Sequence, residues 1–176
     1  MSADPILILQ MQRMGDLILT FPLIIDIMHA YPGHPVTVAA EPCFFEPLLD
    51  LAPRVTFVPP SALADLTAGT HYRLAVNLIT RTDALSTMAE LARHGAADET
   101  LGPVPEDGSL HVHGFWHLYR QSLTHNNCHN TFHWADLYRM DAEEVKSQVS
   151  AEMVSEDLRV GKASELVRKE ADVTVG

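Results

Sequence analysis

An unbroken apolar run from Ile6 to Leu9 passes through Gln10 and Met11 into a polar loop, and beyond Asp16 the apolar positions Leu17, Ile18, Phe21, Ile24, Ile25 and Met28 recur at helical spacing. The first run is too short for an amphipathic helix and lacks the alternation of a strand with one wet face. It therefore predicts a strand, Ile6 to Met11, buried on both faces as in a parallel sheet. Tyr31-Pro32-Gly33 ends the helical pattern, and Pro22 inside it means either a kink or a main helix that begins there after one loose turn. Val36 to Ala40, Val55 to Val58 and Leu74 to Ile79 predict three more strands. A short helix over Phe44 to Leu51 and a longer one from Thr82 to Arg93 follow the second and fourth strands.

Strands and helices alternating at this spacing predict right-handed crossovers, and hence an α/β fold: a Rossmann-like, doubly wound parallel sheet with Ile6 to Met11 in a central position. From Gly95 to Asn130 the pattern weakens, with frequent Gly, Pro, Asn and His, and only Phe115 to Leu123 looks helical. Phe132 to Met140 resumes a helical pattern around Trp134, Leu137 and Tyr138. Beyond Asp141 the chain turns charged and Ala-rich, which suits a linker or peripheral helix. The expected division is thus one domain over residues 1–140 and a linker from 141 to 176.

Charge narrows the partners. With 12 basic and 23 acidic side chains, a net charge of −11 disfavours nucleic acid or an anionic membrane surface as the main partner. Cys43 and Cys128 are expected to be reduced thiols, since nothing points to secretion. No basic segment precedes the first apolar run, and no apolar run approaches the roughly 20 residues that cross a bilayer. These features predict a cytoplasmic protein with at most peripheral membrane contact.

The chemistry concentrates after the first strand. In open α/β sheets ligands bind at the carboxyl edge, and Asp16 stands just past that edge of the first strand. A carboxylate there can accept the proton of an attacking hydroxyl, though an Asp where a helix starts is also a common N-cap. Gly15 either lets a ligand approach the backbone or makes a turn. Arg13 either pairs with an acceptor phosphate or carboxylate or is a solvated surface residue. Glu41 ends the second strand at the same edge, where a helix start at Pro42 explains it equally well, and Asn77 and Arg81 are placed to line that edge too. Met11, Met14 and Met28 read as core filling.

Other chemistries fit poorly. The loop has one glycine where a dinucleotide-binding turn needs three, and the long phosphate loop ending in Gly-Lys is absent. The histidines His94, His111, His113, His117, His125, His129 and His133 include helical spacings, but no carboxylate lies among them at a ligand spacing, and Asn126, Asn127 and Asn130 make a poor helix. A structural or capping role is expected for them, with no metal.

The segment Met14-Gly15-Asp16-Leu17-Ile18-Leu19-Thr20-Phe21-Pro22-Leu23 resembles the N-terminal signature of glycosyltransferase family 9, the lipopolysaccharide heptosyltransferases and their relatives. The likeness continues through Ala30-Tyr31-Pro32-Gly33, Val36 to Ala40, Glu41-Pro42 and Phe45-Glu46-Pro47-Leu48-Leu49. It weakens at Tyr72 to Leu78 and returns faintly at Phe132 to Tyr138. The resemblance implies the N-terminal, acceptor-side half of a GT-B enzyme that transfers a sugar with inversion and without metal. It further implies a nucleotide-sugar donor as co-substrate, ADP-heptose in the heptosyltransferases, no bound cofactor, and a lipopolysaccharide-core or related glycolipid or saccharide acceptor. Asp16 is then the general base, and Gln12, Arg13, Met14, Gly15, Glu41, Asn77 and Arg81 the acceptor-binding set.

The chain departs from that family at Gln10, often Arg or Lys, at Gln12 and Arg13, often Ser, and at Ile79-Thr80-Arg81, often a Gln-Gly turn. Ala171 to Gly176 resembles the first strand of the family's second domain, so a fragment lacking its donor domain, inactive alone, is expected. Two other classes fit the residues: a noncatalytic acceptor- or partner-binding domain of the same fold, and an unrelated Rossmann-like sugar-phosphate or nucleotide enzyme.

Overall fold

The computed structural model describes residues 3–126 and 130–145. Six strands form one sheet: β1 (Ile6–Leu9), β2 (Val36–Ala39), β3 (Val55–Val58), β4 (Tyr72–Asn77), β5 (Ala97–Glu106) and β6 (Ser109–His113). They lie in the order β3-β2-β1-β4-β5-β6, parallel from β3 to β5, with β6 antiparallel to β5. The central place expected for the first strand is observed: Leu7 sits in register with Thr37 on one side and Ala75 on the other. All four residues of β1 are fully buried, as two covered faces and two hydrogen-bonded flanks require.

The Pro22 alternatives resolve into two helices. α1 (Met14–Leu19) ends at Thr20, whose hydroxyl donates to the Leu17 carbonyl at 2.6 Å, and α2 (Phe21–Ala30) starts afresh with Pro22 in its first turn. A proline there lacks only an N–H that the helix start would leave unbonded anyway. After β2 come α3 (Pro42–Phe45) and a 3-10 turn, Glu46–Leu51. A second 3-10 turn, Pro60–Ala62, and α4 (Leu63–Thr67) occupy a stretch for which the periodicity predicts no element. α5 (Thr82–His94) stops at Gly95, in the left-handed conformation with φ 56°.

The weak region from Gly95 onward holds a β-hairpin that the sequence reading missed. β5 mixes Asp98, Glu99 and Thr100 with Gly102, Pro103 and Pro105, so neither period shows. Its first half pairs with β4 and its second half with β6, in register Pro103↔Val112. Asp107-Gly108, at φ 49° and 77°, makes the two-residue turn. Asp-Gly between extended segments was the available signal.

α6 (Phe115–Asn126) and a helical segment spanning 134–145, called α7 below, follow the hairpin. The boundary expected after residue 140 falls inside α7, where Asp141, Ala142 and Val145 are buried. The expected start of a second domain lies outside the described residues. Among the described residues no helix is long and apolar enough to cross a membrane.

Candidate functional site

With the order 3-2-1-4-5 the chain reverses its direction of travel across the sheet between β1 and β4. Connections leaving these two strands diverge, which opens a crevice outside their carboxyl ends, the usual ligand position in such sheets. Here that crevice is a cleft of about 470 Å³. Gln12, Arg13 and Asp16 line it after β1, and Leu78, Ile79 and Thr80 after β4. Arg120, Leu123, Trp134 and Tyr138, from α6 and α7, close its outer side. A larger groove, about 700 Å³, lies elsewhere, along α5, the amino end of β5 and the Asp107-Gly108 turn.

Asp16 is the third residue of α1, and Arg13 is its N-cap. The capping alternative for Asp16 is thereby corrected. Among the described residues the Asp16 carboxylate is bonded by no backbone N–H, and its partner is Arg13, whose Nε donates to Oδ2 at 2.9 Å. Arg13 is 79% exposed and Asp16 23%, and so open an i,i+3 pair adds little stability. The carboxylate is held facing the cleft without being consumed by the fold.

Gly15 also departs from the sequence reading. It lies within α1 at an ordinary helical φ, and a Cβ added there meets nothing within 4 Å, so neither a turn nor packing requires glycine. Gly15→Ala is expected to raise stability by about 0.5–1 kcal/mol, the helix-propensity difference, readable as a higher melting temperature. A loss of stability would show a packing constraint at this site.

The rest of the expected set divides. Gln12 is exposed at the cleft, and Met14 is half-buried beside it. Asn77 is fully buried: its Nδ2 donates to the Pro103 carbonyl at 2.8 Å and its Oδ1 accepts from the Ile79 N–H at 3.2 Å. Its amide joins the end of β4 to β5 and is turned away from the cleft. Arg81 acts as a clasp, donating to the Met11 carbonyl (2.7 Å), to Glu41 Oε1 (2.9 Å) and to Asp83 Oδ2 (2.7 Å). It ties the exits of β1 and β2 to the start of α5, and these carboxylates raise its pKa further. Glu41 and Arg81 thus brace the loops and do not line the cleft.

Sequence reasoning missed the polar floor beneath Asp16. Gln10, 1% exposed, donates from Nε2 to the Tyr138 hydroxyl at 3.3 Å, and burial raises the phenol's pKa. Arg120 is buried, with its guanidinium 4.4 Å from the centre of the Tyr138 ring. One of its NH2 protons goes to His117 Nδ1, and NH1 lies 3.3 Å from Asp141 Oδ2. Arg120 and Asp141 are far apart in sequence and each falls in a stretch of weak or charged pattern. Their one legible signal was polar residues at helical spacing among apolar ones, His117 and Arg120 in α6 and Asp141 in α7.

His117 and Asp141 make stability pH-dependent with opposite signs. Desolvation, aided by Arg120, pushes His117 down to about 2, so it accepts from Arg120 as the neutral imidazole. Desolvation, opposed by Arg120, raises Asp141 to about 6. Acidification below about 6.5 protonates His117 only in the unfolded chain and destabilises the fold by about 1.4 kcal/mol per pH unit. Between about 6 and 3.8 Asp141 takes up its proton in the folded chain first and offsets that loss. In denaturant melts, Asp141→Asn should therefore lose stability more steeply than the parent chain from pH 6 to 4, and His117→Gln less steeply. Parallel curves for the three would show that neither group is buried as described.

Of the histidine set, His113 Nδ1 bonds the Thr100 hydroxyl at 2.5 Å and His133 Nδ1 accepts from the Ala135 N–H at 3.2 Å. His129 and the side chain of His125 lie outside the described residues. Among the described residues, three ligand-type groups converge at Asp4, His71 and Asp98, all exposed and none from that set.

No protein-family model matches the chain, and no curated protein matches it. Solved structures do. The E. coli heptosyltransferase WaaC, solved with ADP, shares 18% identity at a TM-score of 0.50, covering 78% of this chain and 45% of that one. A glycosyl transferase family 9 protein from Veillonella parvula DSM 2008 shares 19% identity at 0.52, covering 81% and 42%. This chain thus spans less than half the length of either. The likeness shows the fold, and it falls on the family that Met14 to Leu23 resembles.

Proposed function

We propose that this domain is the acceptor-side half of a GT-B glycosyltransferase of the heptosyltransferase type, with Asp16 as its general base. The observation that carries this reading is a carboxylate at the switch-point cleft that no backbone group among the described residues uses. The reaction joins an acceptor hydroxyl to the anomeric carbon of a nucleotide-linked sugar, ADP-heptose by analogy with the heptosyltransferases. The hydroxyl oxygen attacks from the face opposite the diphosphate, its proton passes to Asp16, and the bond to the diphosphate breaks with inversion.

The donor needs groups that hold a diphosphate and stabilise the charge it gains on leaving. This reading assigns them to a second domain facing the cleft, and the acceptor, a lipopolysaccharide-core or related saccharide, to the residues around Asp16. The test is release of nucleoside diphosphate and formation of a glycoside by the chain joined to such a domain, given nucleotide-sugar and acceptor together. Release that needs both substrates and the joined domain is expected. Equal turnover by residues 1–176 alone, or none with any donor, overturns the reading.

A further inference from the structure

We propose that Asp4, His71 and Asp98 form a binding site for one zinc-type divalent ion at the amino edge of the sheet. This edge is the opposite end of the strands from the cleft, and the site does not depend on the function proposed there. Asp4 stands just before β1, His71 just before β4, and Asp98 is the second residue of β5; these three strands are neighbours in the sheet. Their pairing carries the three side chains into one row. The Tyr72 N–H donates to the Ala96 carbonyl and the Arg73 N–H to the Pro5 carbonyl, both at 2.9 Å, while His34 Nδ1 holds the Asp4 carbonyl at 2.7 Å. One ligand atom from each of Asp4, His71 and Asp98 lies within 4.8 Å of the other two.

The spacing is that of ligands around an ion rather than of bonded partners. His71 Nε2 is 3.5 Å from Asp98 Oδ1, and Nδ1 is 3.8 Å from Asp4 Oδ2, whereas a charge-assisted hydrogen bond closes to about 2.7–2.9 Å. Bonds of about 2.0–2.2 Å to a tetrahedral ion set neighbouring ligand atoms about 3.3–3.6 Å apart, so small rotations of three exposed side chains complete the set. Charge points the same way. Arg73 donates from Nη1 to Asp98 Oδ2 at 3.2 Å, which leaves Oδ1 facing His71, and its Nη2 lies 2.8 Å from Glu99 Oε1. One guanidinium thus serves two carboxylates, and among the described residues the Asp4 carboxylate faces only the imidazole. An imidazole with two carboxylates suits zinc, whereas magnesium and calcium take oxygen ligands. Water fills the fourth position, and the ion joins the entries of β1, β4 and β5.

The experiment is calorimetric titration of the 176-residue chain, stripped of metal with a chelator, with zinc chloride and with magnesium chloride, beside thermal melts. One zinc per chain is expected, with much weaker binding of magnesium. The melting temperature should rise by about 5 °C once free zinc exceeds its Kd a hundredfold. His71→Asn and Asp98→Asn should each weaken zinc binding about tenfold or more and erase that rise. Without zinc both variants should melt within about 2 °C of the parent chain, because the exposed pairs they break add little. That result separates loss of an ion site from loss of fold. His94→Asn removes another exposed imidazole, 3.5 Å from Glu90 on α5, and should leave zinc affinity unchanged. No saturable zinc binding, magnesium bound as tightly as zinc, or zinc affinity undiminished in both His71→Asn and Asp98→Asn overturns the inference.

Discussion

Asp16→Asn is expected to lower glycosyl transfer by about 10²–10⁴-fold, the usual contribution of a positioned general base, while leaving the melting temperature within about 2 °C. Both halves follow from the geometry around one side chain. The carboxylate lines the cleft and is not bonded by any described backbone N–H, so the fold does not depend on its charge. Its partner Arg13 is mostly solvent-exposed, and losing such a pair changes stability by a few tenths of a kcal/mol at most. Asparagine keeps the shape and can still accept from Arg13 Nε, but it cannot take a proton from a hydroxyl. Turnover of nucleotide-sugar by the domain-completed enzyme, with and without the substitution, is the measurement, beside thermal melts of both. A tenfold loss or less would reduce Asp16 to a residue that orients the acceptor, and a large drop in melting temperature would make it structural.

The residues around Asp16 were legible because local sequence dictates local structure there. Ile6 to Leu9 is apolar on both faces, Pro22 restarts a helix, and Gly95 ends one, so the parallel core and the edge on which Asp16 stands follow from short-range pattern. Arg81 and Asn77 follow the same short-range pattern to that edge, but their partners lie across the sheet. Whether a polar side chain faces a ligand or joins strands depends on those partners, Met11 and Glu41 for one and Pro103 for the other. The cleft's outer wall was illegible for a related reason. Arg120, Asp141 and Gln10 are buried polar groups whose partners lie far along the chain, Asp141 for Arg120 and Tyr138 for Gln10, so each looks like a surface residue when read alone.

Gly102→Ala is expected to cost more than about 4 kcal/mol, a large share of the 5–15 kcal/mol that holds a typical domain folded. Gly102 has φ +94°, a conformation L side chains rarely adopt, and an added Cβ would stand 1.8 Å from the Asn77 carbonyl oxygen, 2.9 Å from its carbon and 3.1 Å from His117 Cε1. Two of those three contacts are backbone and cannot rotate away. Relief requires parting β4 from β5 at the point where Asn77 bonds the Pro103 carbonyl, and lifting His117 with the Arg120 it bonds. The cleft should fail with the fold, since Leu78 to Thr80 follow directly from Asn77 and Arg120 rides on α6. Gly69→Ala separates strain from clash: it has φ +69° but nothing within 4 Å of the added Cβ. It should cost only about 1 kcal/mol. Denaturant melts of the two variants beside the parent chain decide the matter. A Gly102→Ala midpoint no lower than that of Gly69→Ala would mean that β4, β5 and α6 are not packed together as described.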